Sequence, residues 1–252
     1  MDTIISNIKL KGDKAIEQIP AIKDKALRIN LNDNIYGTFA EIGAGQETVR
    51  HFFRSGGGSG TIAKAMSAYD KDFSDAIYGI EDDGRYVTES RLKKMLNHEV
   101  ELIEKRLKRD KHPNKIFFSF ANTVATIDFA KQFKGHGWVG IKYQVEPDEE
   151  YNEITLHIRF KETDAKLQQE TLGILGVNLI YGAYYKYNDP KKLLRYLYDH
   201  LDKDQLEIDT INFSGPRFAN VDNRLMSDTL QKKYSCVARK FPSSNSGKYG
   251  HV

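Results

Sequence analysis

Apolar positions recur along this chain at two periods, one near 3.6 and one of 2, and the switches between them mark its elements. Ala15, Ile16, Ile19, Ile22 and Ala26 fall at helical spacing, so a helix is predicted from about Asp13 to Leu27 with Pro20 as a break or kink. The run IYGTFAEI (35–42) reads as a strand and leads into a short helix, about Gln46 to Phe53. RSGGGSG has no reason to be regular, since its four glycines carry a high backbone entropy cost. A helix is expected to resume from Thr61 to Tyr69. From Thr88 to about Lys108, Leu92, Met95, Leu96, Val100, Ile103 and Leu107 form one apolar stripe. Thr88 suits its N-cap and His112-Pro113 its stop.

Period 2 then returns in KIFFSFAN (115–122), GWVGIKYQV (137–145) and NEITLHIRF (152–160). The last two flank the acidic turn EPDEEY and predict a hairpin. A long helix follows from about Asp164 to Tyr187, and Pro190 opens another that reaches Leu201. QLEIDTINF (205–213) is a fifth strand, with a last helix from about Asn223. The expected class is α/β (mixed α+β): one mixed sheet of about five strands, covered by helices. One domain is expected over residues 1–233, with 234–252 as a flexible basic tail.

Composition narrows the function classes without naming one. The 252 residues are 40% hydrophobic and 29% charged, as in ordinary globular proteins. Lys+Arg 38 against Asp+Glu 35 leaves +3, with the signs interspersed, which argues against a nucleic-acid partner. The lone Cys236 excludes an internal disulfide and a zinc site built on thiolates. MDTIISNIKLKGDK lacks the pattern of a secretory signal. The longest apolar segment, Leu172 to Tyr185, is broken by Asn178 and glycines and is too short to span a bilayer. No membrane partner is expected, and the expected location is the cytoplasm.

Candidate chemistry concentrates between Ala40 and Gly79. Ligands of open α/β sheets sit outside the carboxyl ends of strands. Three predicted strands end in polar loops: Gly43-Ala44-Gly45-Gln46, Asn122-Thr123, and Ser214-Gly215-Pro216-Arg217 close to Arg224. If those strands are parallel, the loops converge. The loop Gly56, Gly57, Gly58, Ser59, Gly60, followed by Thr61 and Lys64, could hold a phosphate through backbone N–H groups and the following helix N-terminus. It matches neither the GxGxxG nor the P-loop spacing, and the alternative is a plain surface loop. Glu47, Arg50, His51 and Arg54 share one side of the short helix, where Arg54 and His51 could meet an anion or simply form an exposed charged face. Arg217 and Arg224 would add charge. Asp70, Asp72 and Asp75 could hold Mg²⁺ beside phosphates, or form a solvated acidic turn. Glu41, Asp70 and His136 are the acid–base candidates.

The runs EIGAGQETVRHFFRSGGGSGTIAKAMSAYDKDFSDAIYG, GHGWVGIKYQ, LGILGVNLIYGAYY and INFSGPRFANVDNRLMS together resemble a bacterial family of largely uncharacterised proteins. Its members carry the names "TonB-dependent receptor" or "nicotinate-nucleotide adenylyltransferase". The resemblance covers about Phe39 to about Ser227; family members are longer, and this chain departs from the pattern after Met226. The first name implies a barrel of about 22 strands with an export signal, and the sequence has neither the length nor the signal for it. The second implies two histidines in a glycine loop after the first strand, whereas Gly43-Ala44-Gly45 holds none. No catalytic residue is carried over. Two function classes are therefore expected: binding of a phosphate-bearing small molecule, a nucleotide with Mg²⁺ for example, with nucleotidyl or phosphoryl transfer; or non-catalytic assembly as a homo-oligomer.

Overall fold

The computed structural model describes residues 19–234 apart from 83 and 131–133. Residues 13–18 of the expected first helix and the tail at 235–252 lie outside that set. The period-2 segments form strands β1 (Ile35–Ile42), β3 (Ile116–Ala125), β4 (His136–Tyr143), β5 (Asn152–Phe160) and β6 (Leu206–Ser214). A sixth, β2 (Ile62–Met66), joins them in one sheet of order β2-β1-β3-β4-β5-β6. β1 is parallel to both β2 and β3, and β3 through β6 are successively antiparallel. The architecture is the expected mixed α/β sheet flanked by helices.

β1 and β3 are buried along almost their whole length because helices cover both faces there. On one face Phe39, Phe118, Phe120, Val139 and Ile141 pack with Val49 and Phe52 of α2 (Glu47–Ser55), and with Leu172, Leu175 and Leu179 of α5 (Ala165–Tyr185). α1 (Ile22–Asn30) packs beside both helices. On the other face Ala40, Ile42 and Ala121 meet Leu92, Met95 and Leu96 of α4 (Glu89–Arg106), with α3 (Lys71–Tyr78) against it. α6 (Pro190–Tyr196) and α7 (Asn223–Tyr234) complete the set. Thr88 caps α4 as its sequence implies, its side chain accepting from Arg91 N at 3.0 Å.

Three expectations are corrected. Residues 62–66 form a strand instead of a helix: IAKAM favours helix locally, but pairing beside β1 overrides that preference. α1 begins at Ile22, after the break expected at Pro20, but runs past the expected end at Leu27 to Asn30. β6 runs antiparallel to β5, so its carboxyl end lies at the sheet edge opposite those of β1 and β3. The three polar loops therefore do not converge.

β6 is an edge strand, and α7 closes its free edge. Asn223 accepts from Phe213 N (2.8 Å) and donates to Phe213 O (3.1 Å). Ser227 accepts from Ile211 N (3.1 Å) and donates to Ile211 O (3.2 Å), and Gln231 donates to Asp209 O (2.8 Å). Four helical residues rise about 6 Å and two strand residues about 6.7 Å, so the two spacings stay matched. An exposed strand edge otherwise templates pairing with another chain. The triple variant Asn223→Ala, Ser227→Ala, Gln231→Ala is expected to stay folded and associate with rising concentration, read by light scattering. If it stays monodisperse at every concentration, those side chains do not guard the edge.

Candidate functional site

At the carboxyl end of β1 the chain turns through Gly43 (φ +89°) and Gly45 (φ +77°) into α2. A Cβ on Gly43 would lie 1.9 Å from the carbonyl oxygen of Val124, so this turn requires glycine. Glu41 faces back into the protein and is 1% exposed. Its carboxylate accepts from Val49 N (3.0 Å), Thr48 N (3.3 Å) and Asn122 Nδ2 (2.9 Å). Two first-turn amides of α2 are thus taken by the protein's own carboxylate. Burial pushes the Glu41 carboxyl up to about 7, against the lowering effect of Val49 N–H, the Asn122 amide and Thr48 N–H. Glu41 is a buried helix cap here, fully engaged by protein donors and not an exposed acid–base group.

The glycine loop lies elsewhere. Gly56–Gly60 joins the carboxyl end of α2 to the start of β2, at the opposite end of the parallel strands from Glu41. Because β2 follows Thr61, the loop leads into a strand and not into the expected helix N-terminus, and the end of α2 beside it is the negative pole. Its groups are tied locally: Asn30 Nδ2 donates to Gly56 O (2.7 Å), and Thr61 Oγ1 donates to Asn30 O (3.2 Å). Gly56, Gly57, Ser59 and Gly60 are exposed, and Gly58 is half-buried. Lys64 sits on β2 and pairs with the buried Glu99 of α4 at 2.7 Å. Arg217 pairs with Glu149 at 2.7 Å beyond the end of β6, and Arg224 is exposed on α7, both across the sheet from β2.

The acid run is also divided. Asp70 caps α3, accepting from Phe73 N at 2.8 Å. Asp75 binds the buried Arg91 and, at 2.8 Å, Lys71. Asp72 is exposed in the first turn, where a carboxylate suits the helix dipole. Among the described residues no group of three or more His, Cys, Asp or Glu is placed to hold a metal ion.

The charged side of α2 is brought together. Arg50, His51 and Arg54 line a cleft of about 540 Å³ together with Glu47 and, from α5, Lys166, Gln169, Glu170 and Ile174. Gly173 lets the helices meet, since a Cβ there would stand 2.9 Å from Glu47 Cβ. Arg50 pairs with Glu47 at 3.2 Å and Lys166 with Glu170 at 3.7 Å. Arg54 has no carboxylate within ion-pair distance among the described residues. Burial lowers the His51 pKa; Glu47 opposes that and Arg54 adds to it, so the ring is neutral near pH 7. Sequence reasoning found Arg54 and His51 but missed Lys166 and Gln169. Their only signal was a polar first turn, KLQQE, on an otherwise apolar helix. His136 lies on the other face of the sheet, beside His157.

No family model and no curated protein matches the chain. Among solved structures it is similar to the competence/damage inducible protein CihA from Agrobacterium tumefaciens, at 12% identity and TM-score 0.42, covering 66% of this chain and 97% of that one. It is also similar to a competence-damaged protein (CinA) superfamily protein from Enterobacter cloacae, at 12% identity and TM-score 0.44, covering 72% and 99%. A CinA superfamily protein from Escherichia coli gives 13% identity and TM-score 0.41, covering 66% and 91%. These neighbours bear on neither name carried by the family resembled in sequence. Among the described residues no helix is long and apolar enough to cross a membrane.

Proposed function

We propose that this protein binds a phosphate-bearing small molecule, of nucleotide size, in the α2–α5 cleft. One observation carries the reading: Arg50, His51 and Arg54 project from successive turns of α2 into one cleft that Lys166 closes from α5. Arg54 has its fork of donors available for two phosphate oxygens. Arg50 and Lys166 are held by single acids at 3.2 and 3.7 Å, and can add charge without leaving the cleft. A neutral His51 donates one ring N–H to an arriving anion. The anion favours the charged ring, so binding takes up a proton and affinity strengthens as pH falls toward the lowered His51 pKa. His51 is also the group placed to move a proton if phosphoryl or nucleotidyl transfer takes place there.

The test is a thermal-shift and calorimetric titration with inorganic phosphate, AMP, ADP and ATP. At least one nucleotide is expected to raise the melting temperature, since a ligand of the native state alone stabilises it. Arg54→Glu should cost about tenfold or more in affinity, equivalent to roughly 1.4 kcal/mol. Gly58→Ala should leave affinity unchanged, because the glycine loop lies outside the cleft. Nucleotide binding that survives Arg54→Glu, or the absence of any shift, overturns the proposal.

A further inference from the structure

The antiparallel half of the sheet carries a second arrangement, independent of the cleft and on the opposite face. Alternation in GHGWVGIKY places His136 and Trp138 on one side of β4, while Val139 and Ile141 enter the core. In NEITLHIRF the same rule places His157 and Arg159 on that side of β5. β6 breaks the rule. Its core residues are Leu206, Ile208, Ile211 and Phe213, so one extra residue lies between Ile208 and Ile211. The pairing shifts there, with His157 opposite Thr210 but Ile158 opposite Ile208, leaving Asp209 as the additional residue of a β-bulge. Bulges re-aim side chains. This one turns Asp209 onto His157.

The contacts run in a line. Asp209 Oδ1 accepts from His157 Nδ1 at 2.7 Å, and His157 Nε2 lies 3.4 Å from His136 Nδ1. Arg159 Nε holds the other oxygen, Asp209 Oδ2, at 2.7 Å, while its side chain remains 65% exposed. Trp138 packs against the His157 ring at 4.9 Å and fixes its plane. The carboxylate assigns the tautomers. His157 Nδ1 carries its proton toward Asp209, so its Nε2 accepts from His136 Nδ1–H. The lone pair of His136 is then on Nε2, which has no hydrogen-bond partner among the described residues. Burial first, then the neighbouring His157 and Arg159, lower the His136 pKa, against Asp209, so the ring is an unprotonated base at neutral pH. Burial opposes ionisation of Asp209, but the hydrogen bond from His157 and the charge of Arg159 keep its pKa below normal.

We propose that His136 is the accepting end of an Asp209–His157–His136 proton relay, a general-base site for a small hydroxyl-bearing substrate whose anionic group rests on Arg159. In the step, a substrate O–H bond breaks and its proton goes to His136 Nε2, while the oxygen keeps the electron pair. The Nδ1 proton of His136 passes to His157 Nε2, and the resulting imidazolium is held by Asp209. His136 is the catalytic residue of this step; His157 and Asp209 position it and carry the charge. Two ring nitrogens 3.4 Å apart could also flank a metal ion. The described residues supply no third ligand, and the Arg159 guanidinium beside them repels a cation.

The relay is tested by acylating the intact protein with diethyl pyrocarbonate and mapping each histidine by mass spectrometry across pH. His136 is expected to react fastest, and His157, with both nitrogens engaged, slowly. Asp209→Asn should lower the pH midpoint of His136 acylation by about one unit, a tenfold loss of basicity, while the rate at His112 stays the same. Inorganic phosphate should slow the reaction at His136, and Arg159→Ala should remove that protection. A His136 that does not react, a midpoint unmoved by Asp209→Asn in a folded protein, or phosphate protection that persists in Arg159→Ala overturns the proposal. Zn²⁺ binding in the micromolar range that is lost in His136→Ala also overturns it, in favour of a metal site. Arg54→Glu leaves all these readouts unchanged, so the cleft and the relay fail separately.

Discussion

Asp199→Ala is expected to lower the unfolding free energy by about 3–5 kcal/mol, the usual cost of leaving one partner of a buried ion pair alone. Lys25 on α1 is fully buried, and Asp199 is 7% exposed. The ammonium donates to Asp199 Oδ2 at 2.6 Å and to Asn178 Oδ1 of α5 at 2.8 Å. The rings of Tyr181 and Tyr196 stand 5.5 and 5.4 Å from the ammonium, close enough to stabilise the cation. Asn178 Nδ2 in turn donates to Leu197 O (3.2 Å) and Asp199 O (2.7 Å), so the pair ties α1, α5 and the segment after α6 together. Burial already lowers the Lys25 pKa, against the raising effect of Asp199. Without the carboxylate it falls further. A group whose native pKa is depressed below its unfolded value destabilises the native state while the unfolded chain is protonated. The variant should therefore regain stability as pH rises toward the ordinary lysine pKa of about 10.4. Urea denaturation at neutral and alkaline pH checks both statements. A loss under 1 kcal/mol at neutral pH would show the pair to be dispensable. The double variant Lys25→Met, Asp199→Leu should be close to wild type, because it leaves no unpaired charge.

Glu41→Ala is the second large effect, expected to cost on the order of 3 kcal/mol. It uncaps α2, a loss of about 1 kcal/mol, and leaves the buried Asn122 amide without its acceptor, about 1–3 kcal/mol more. Glu41→Gln keeps the shape and separates the electrostatic part. The Glu41 carboxyl is raised from 4.5 to about 7, so the native state holds the proton more tightly than the unfolded chain. That stabilisation is complete below pH 4.5 and is lost as pH rises through about 7. Across this window the wild type should lose roughly 3 kcal/mol relative to Glu41→Gln, at 1.36 kcal/mol per unit. Denaturant midpoints of both proteins measured from pH 4.5 to 8 give the difference directly. Parallel profiles would mean that the three donors keep Glu41 ionised throughout, and that burial is not the controlling influence.

Much of the scaffold is legible in the residues. The stripe Leu92, Met95, Leu96, Val100, Ile103 dictates α4, and Thr88 its start, because both signals are local. The hairpin β4–β5 follows from two alternating runs around an acidic turn. β2 was not legible, since IAKAM has no alternation and becomes a strand only by pairing with β1. The bulge was present but unread: LEIDTINF places its core residues two, then three, then two apart. The candidate site was half legible. Arg54 and His51 share a helix side by local periodicity, but nothing in α2 announces Lys166, which arrives from a helix over a hundred residues away.

The sequence by itself determined α1, α2, α4, α5, α6 and α7, five of the strands and the charged side of α2, all set by interactions within a few residues. Only the tertiary structure decided the direction of β6, and with it the separation of Arg217 from the carboxyl ends of β1 and β3. It alone turned Glu41 into a helix cap, pressed Gly43 against the Val124 carbonyl, took Asp75 for Arg91, and lined up Asp209, His157 and His136. Strand order and hydrogen bonds between distant residues come from pairing and burial across the whole chain, and a local pattern of residue types does not encode them.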